Sequence, residues 1–200
     1  EDMDISKEVE KSFKKSGIKI YKETKVTKIE KLKTKIKVHA EKDGSSQVID
    51  ADIVLNAVGV TGNIENIGLE AIGVVTDRGS ITINEFNQTS VPNIYAIGDV
   101  SGPPWLAHVA SAQGHVAAEH ASGHTPTPVD YTNIPGCTYC QPQVASLGFT
   151  EAVAKEKGYE IKVGRFDFRS SGKALATGDS TGFVKIIFDV QYGELLGCHI

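Results

Sequence analysis

A chain of 200 residues with 40% hydrophobic and 23% charged side chains carries enough apolar material to bury a core of one or two domains, which excludes disorder as the default. No run of about 18 apolar residues occurs, and the first residues lack the regions of a secretory leader, so a soluble intracellular protein with no membrane partner is expected. Three cysteines are too few for a disulfide framework and point to a reducing compartment. The chain opens on Glu1 and ends on Ile200 inside an apolar run, as expected of a piece cut from a longer protein.

Charge is unevenly placed. Residues 1–42 hold 13 Lys against 8 acids, whereas residues 43–200 hold 8 basic residues against 17 acids. The lysines are interleaved with Val26, Ile29, Leu32, Ile36 and Val38 rather than grouped with aromatic residues. That pattern fits a solvated face better than a nucleic-acid arm, and no nucleic-acid partner is expected.

Taken in order, Ser6, Val9 and Phe13 before Gly17 predict a short helix capped by Ser6. Ile18–Tyr21, Lys25–Lys31 and Lys35–Ala40 alternate polar with apolar residues, and Lys42-Asp43-Gly44-Ser45 supplies a hairpin turn, so a meander with one wet face is expected. The nearly continuous apolar run Asp52–Gly59 reads as a strand buried on both faces. Ile64–Ile72 is weakly helical, Ile81–Ile83 a short strand, and Asn93–Val100 a strand that delivers Gly98 and Asp99 to its carboxyl end.

Pro103 and Pro104 can open a helix whose stripe of Leu106, Val109, Ala110, Val116 and Ala117 runs to the stop at Ser122-Gly123. Gly123–Pro128 looks like a linker. Beyond it come a strand near Cys137–Ala145, a helix from Thr150-Glu151 to Lys157-Gly158, strands at 159–168 and 182–190, and a turn at Tyr192-Gly193-Glu194 leading into Leu195–Ile200. The fold class is therefore α/β with α+β.

The sharpest chemical signal is the run from Thr89 to Val100, followed eight residues after Asp99 by Ala107 in Leu106-Ala107-His108. Gly98 lets a ligand approach the backbone, Asp99 can accept hydrogen bonds from sugar or ribityl hydroxyls, and the N–H groups opening the next helix can face an anionic ring edge. Alone, Gly98-Asp99 would read as an ordinary turn.

These residues resemble the second flavin-binding motif of the pyridine nucleotide-disulfide oxidoreductases, and the resemblance runs in order along essentially the whole chain. Leu106-Ala107-His108, Gln113-Gly114, Tyr131–Phe149 and Gly182-Phe183-Val184-Lys185 are most similar to the dihydrolipoamide dehydrogenase branch. The resemblance implies incomplete FAD- and NAD(P)-binding domains and the start of an α+β dimerisation domain. Its implied boundaries are 1–62 for the distal NAD-binding part, 63–128 for the returning FAD-binding part and 129–200 for the partial interface domain.

It further implies FAD contacts from Asp99 and the backbone of Ala107, with Gly98, Leu106 and His108 beside them, and NAD beside Gly59 and Val26. The implied reaction is reoxidation of dihydrolipoamide, carried on an acyltransferase or a glycine-cleavage carrier protein, through a redox disulfide and FAD to NAD. The full-length protein would be a homodimer, cytoplasmic in bacteria or in the mitochondrial matrix of eukaryotes. The chain departs from many relatives at Val60-Thr61, where an Arg follows the glycine, and at Cys140-Gln141-Pro142-Gln143, where Thr-x-Pro-Glu is frequent. The family's glycine-rich pyrophosphate motifs, its Cys pair four residues apart and its His-Glu base pair are not in this sequence, so no catalytic residue is assigned and the fragment alone is expected to be inactive. A sister reductase acting on glutathione, mercury or oxygen, or an inert interaction fragment, is the alternative.

Two patterns invite a metal. Cys137-Thr138-Tyr139-Cys140 has half-zinc-site spacing, yet residues three apart on a strand point to opposite faces and no second pair lies nearby. Of His108, His115, His120 and His124, the three before the Ser122-Gly123 stop are spaced by seven and five rather than the four that puts two ligands on one helix face, His124 lies past that stop, and no metal site is expected. Trp105 reads as a packing residue.

Overall fold

The computed structural model describes residues 1–200. In chain order it contains α1 (Met3–Lys15), β1 (Lys25–Lys31), β2 (Ile36–Lys42), β3 (Ser45–Ala51), β4 (Thr76–Asp77), β5 (Ser80–Ile81), α2 (Ala107–Ala121), β6 (Gly136–Thr138), β7 (Val144–Gly148), α3 (Glu151–Glu156), β8 (Ile161–Asp167), α4 (Gly172–Thr177), β9 (Phe183–Asp189) and β10 (Leu195–His199). No helix is long and apolar enough to cross a membrane. The residues gather into two units, one of Glu1–Val58 with Pro135–Ile200, the other of Gly59–Ile134.

In the first unit α1 starts earlier than expected. Asp2, not Ser6, is the cap: its carboxylate accepts the N–H of Asp4 at 3.0 Å, while the Ser6 hydroxyl donates to the Asp2 carbonyl at 3.2 Å. Lys14 and Lys15 occupy the last turn, where cations offset the helix dipole. The meander is present but shifted. Ile18–Tyr21 forms no strand, and the three antiparallel strands are β1, β2 and β3 in that order, Ile36 lying opposite Ala51. Asp43 and Gly44 turn β2 into β3 with φ of 48° and 76°, the left-handed pair that suits the twist of a two-residue hairpin.

The apolar run Asp52–Gly59 is not a strand, and Ile53, Leu55 and Val58 stand 85%, 88% and 89% exposed. A strand covered on both faces needs neighbours on either side, and none among these residues pairs with it.

Residues 136–199 build a five-stranded antiparallel sheet in the order β6-β7-β10-β9-β8. The single strand expected at Cys137–Ala145 is two, β6 and β7, paired back to back across the Cys140–Gln143 turn. β9 alternates strictly, with Phe183, Lys185, Ile187 and Asp189 buried on one face. Helix α3, capped by the Thr150 hydroxyl, packs Ala154 against Ile187 and Leu196, and Ile5 of α1 packs against Val144 and Phe183. Where β7 meets β10, Gly197 faces Gly148, and a Cβ on Gly197 would collide with the Phe149 carbonyl. Helix α4 follows a 3-10 turn at Phe168–Ser170, and neither was expected from the sequence.

One ion cluster binds α1 to this sheet. The Lys185 ammonium lies 2.9 Å from Asp2, 2.8 Å from Asp4 and 2.8 Å from Glu151, and both Lys185 and Asp2 are buried. Asp2 also accepts the N–H of Glu151 at 3.2 Å. Burial would raise the Asp2 carboxyl, but hydrogen bonds from Lys185 and from the N–H groups of Asp4 and Glu151 outweigh it and hold it below the usual range. Hydrogen bonds from Lys155 and Lys185 lower Glu151. Burial would lower Lys185, and bonds to Asp4, Glu151 and Asp2 raise it instead.

The second unit has little regular structure before α2. Its core is Ile64, Leu69, Val74, Ile81 and Ala96. The weak helical pattern at Ile64–Ile72 yields only a 3-10 turn at Glu70–Ile72, and the strand expected at Ile81–Ile83 is the two-residue β5. Asn93–Val100 is no strand: Tyr95 makes one isolated bridge to Gln88, and Gly98–Ser101 is a 3-10 turn. Helix α2 begins at Ala107, three residues past Pro104, and ends at Ser122 as expected. Its buried stripe is Val109, Gln113, Val116 and Ala117, one face of a 3.6-residue repeat. Gly123–Pro128 has no regular structure.

Candidate functional site

The site is assembled on the turn that precedes α2. The chain reaches it through buried Ala96, whose N–H donates to the carbonyl of Asn87 at 3.0 Å, and then through extended Ile97. Gly98 follows with φ of +74°, a left-handed value that glycine adopts without strain, and a Cβ there would sit 3.4 Å from that of Ala110. The turn Gly98–Ser101 packs on α2 and closes with the N–H of Gly102 donating to the Asp99 carbonyl at 3.2 Å.

A neutral hydrogen-bond network fixes this turn from inside. Gln113, 3% exposed, accepts the Gly98 N–H on its side-chain oxygen at 2.7 Å. Its amide nitrogen donates to the Tyr131 hydroxyl at 2.7 Å and more weakly to the Ser101 hydroxyl at 3.4 Å, while Ser101 donates to the Gly98 carbonyl at 2.7 Å. Buried Asn87 donates to the Gln113 carbonyl at 3.2 Å. Both backbone polar groups of Gly98 and the side chains of Gln113 and Ser101 are thereby engaged.

The outer side is different. Asp99 is exposed, and its carboxylate makes no hydrogen bond or ion pair within the chain. Helix α2 opens without a side-chain cap, Leu106 being extended, so the Ala107 N–H has no acceptor in the protein. The arrangement couples an acceptor for hydroxyl groups with the positive end of a 15-residue helix. A flavin presents both matching parts, ribityl hydroxyls and an anionic ring edge, so these residues fit that group.

Of the residues singled out in the sequence, Gly98, Asp99, Leu106, Ala107 and His108 all lie in this second unit, on the turn or the first turn of α2, and His108 has interactions of its own within the chain. Gly59 belongs to the same unit, with φ of +109° and open space around its Cα. Val26 lies in the other unit, 54% exposed on β1. Cys137 is exposed on β6, and the Cys140 thiol donates to the Pro142 carbonyl at 2.9 Å. His120 bonds the Tyr95 hydroxyl at 2.8 Å and stacks on Phe86. Ser101, Tyr131 and Asn87 escaped the sequence reading. The available signal was Gln113, the one polar residue on the buried stripe of α2.

Residues 1–114 match the family described as pyridine nucleotide-disulphide oxidoreductase, and residues 134–200 match its dimerisation domain. Over the whole chain the protein is 52% identical to the dihydrolipoyl dehydrogenase of Rhizobium etli, 47% to that of Mycobacterium tuberculosis and 46% to that of Bacillus subtilis, spanning 42%, 44% and 43% of those proteins. Among solved structures, LpdA from Mycobacterium tuberculosis superposes with a TM-score of 0.90 at 26% identity, over the whole chain and 43% of that protein. The HOCl-induced flavoprotein disulfide reductase RclA from Escherichia coli shares the fold, with a TM-score of 0.89 at 22% identity and 46% of its length covered. The chain thus spans less than half the length of these relatives, and it belongs to the pyridine nucleotide-disulphide oxidoreductase family.

Proposed function

We propose that this chain is the segment of a dihydrolipoamide dehydrogenase that grips FAD by Asp99 and the amino end of α2. The observation that carries the reading is the unpartnered Asp99 carboxylate beside an uncapped helix, on a turn whose Gly98 N–H and carbonyl are both engaged by side chains. Identities of 46–52% with proteins named dihydrolipoyl dehydrogenase support it. In this reading residues 1–62 complete an NAD-binding domain, 63–128 return to the FAD-binding domain, and 129–200 begin the interface through which two full-length copies pair, the last supported by the dimerisation-domain match. Gly59 and Val26 lie beside NAD. Bacterial relatives support a cytoplasmic location.

Bound FAD supplies two-electron redox chemistry between a dithiol and NAD. This chain's residues hold it: Asp99 accepts from ribityl hydroxyls, Gly98 permits close backbone approach, and the N–H of Ala107, with Leu106 and His108 flanking it, steadies negative charge on the ring. The residues present include no Cys pair four apart, so the dithiol step and its base are placed outside them. Dihydrolipoamide carried on an acyltransferase or a glycine-cleavage carrier is the proposed substrate.

The test is NADH formation by the full-length protein given dihydrolipoamide and NAD, with the 200-residue chain assayed alongside. Turnover confined to the full-length protein is expected. A flavin-loaded full-length protein that leaves dihydrolipoamide untouched would move the assignment to a sister reductase.

A further inference from the structure

We propose that Gln113 is the positioning residue for the flavin, acting through the Gly98–Asp99 turn without touching the cofactor; this rests on the FAD reading given above. Asp99 can serve a ligand only if the backbone carrying it is held still, and three facts assign that task to Gln113.

Its side chain is buried on the same helix whose amino end forms the other half of the site, so one rigid element sets both halves. Its oxygen takes the N–H of Gly98, the residue immediately before Asp99, at 2.7 Å, which ties the left-handed hinge of the turn to α2. Its nitrogen is committed to Tyr131 at 2.7 Å and Ser101 at 3.4 Å, so the amide cannot rotate to release Gly98 without breaking both. Ser101 closes the loop by donating back to the Gly98 carbonyl at 2.7 Å, leaving both backbone polar groups of Gly98 engaged.

The consequence is specific. With Gln113 in place, the Asp99 carboxylate has a fixed position relative to the Ala107 N–H. Without it, the part-buried Gly98 N–H loses its acceptor and the turn can relax in several ways, only some of which keep the two flavin contacts in register. A residue that merely filled space would affect stability alone.

The test uses the full-length flavoprotein, freed of FAD and titrated with it, following flavin fluorescence and the thermal midpoint of the apoprotein. Gln113→Met keeps the volume and flexibility of the side chain and loses both hydrogen-bonding ends. It is expected to weaken FAD binding by about tenfold, the loss of roughly one part-buried hydrogen bond. Gln113→Glu retains an acceptor for Gly98 and offers its second oxygen to the Tyr131 hydroxyl, which then donates instead of accepting, so it is expected to bind FAD within about threefold of the unaltered protein.

A fall in the apoprotein midpoint with unchanged FAD affinity in Gln113→Met would make Gln113 a packing residue and overturn the proposal. If Gln113→Met fails to fold, Tyr131→Phe decides. It removes only the far anchor of the amide, so weaker FAD binding supports the positioning role and unchanged binding refutes it. A full-length protein that takes up no FAD before any substitution would instead sink the proposed function itself.

Discussion

The two units each bury a polar network, and the networks are built on opposite principles. In the first, a fully charged Lys185 is surrounded by Asp2, Asp4 and Glu151. In the second, neutral Gln113 meets a backbone N–H, a phenol and a hydroxyl. A buried ion cluster is held together by charges that each need the others, so it is strong while whole and costly when cut. A neutral network loses less when one member goes, and its strength is independent of pH across the carboxylate range. The charged network fastens α1 to a sheet, a structural task; the neutral one leaves the only unpartnered carboxylate of its turn, Asp99, facing outward.

The sharpest way to break this contrast is to remove the cation. Lys185→Met leaves Asp2 as an uncompensated buried anion and should destabilise the protein by about 3–5 kcal/mol, measured by urea or thermal unfolding. Adding Asp2→Asn should return part of that loss. A single-variant loss below about 1 kcal/mol would mean the cluster is hydrated and works like a surface pair.

The next effect is on acid stability. Asp2 and Glu151 have carboxyls lowered on folding, so their contribution is present above their unfolded values of 3.8 and 4.5 and is lost as pH falls through the depressed folded values. Lys185 is raised, so its contribution holds below 10.5 and fades only as pH climbs past its folded value. A stability plateau bounded by an acid limb below about pH 4 follows. Hydrogen exchange, corrected for intrinsic rate, should show the Glu151 amide losing protection on that limb before the Gly98 amide does. Equal loss at both would erase the distinction between the networks.

The smallest effect belongs to the surface. Lys14 and Lys22 hydrogen-bond Glu10 at 2.7 and 2.9 Å and hold its carboxyl at about 2. Lys14 and Lys22 are exposed and Glu10 stays partly open to solvent, so Glu10→Gln should leave the thermal midpoint at neutral pH essentially unmoved. A clear drop would show that a large shift on a partly exposed group can carry stability here.

Legibility followed the range of the interactions. Alternation made β8, β9, β10 and the Tyr192-Gly193 turn readable, since a strand pair with one buried face writes its period locally. The Thr150 cap of α3 was readable for the same reason. Asp52–Gly59 failed because burial on two faces depends on neighbours that the run itself does not encode. Asn93–Val100 failed because the buried residue Ala96 is held by a loop, through the Asn87 carbonyl, and not by a ladder. At the site, Gly98, Asp99 and Ala107 could be picked out by spacing and resemblance. The pairing of Gln113 with Gly98 spans 15 residues and a change of direction, and that of Lys185 with Asp2 spans 183, distances at which no periodicity speaks.

The alternation of β9 gives the ion cluster one more role. Side chains on a strand change face at every step, so sliding β9 by a single residue against β8 and β10 would turn Lys185 outward and bring Val184 or Ile186 toward Asp2 and Glu151. Apolar contacts tolerate such a slip, because β9 carries branched aliphatic or aromatic residues at Phe183, Val184, Ile186, Ile187 and Phe188 on both faces. An ammonium with three waiting carboxylates does not. Lys185 therefore acts as a pin that admits one alignment of the sheet and rejects its neighbours.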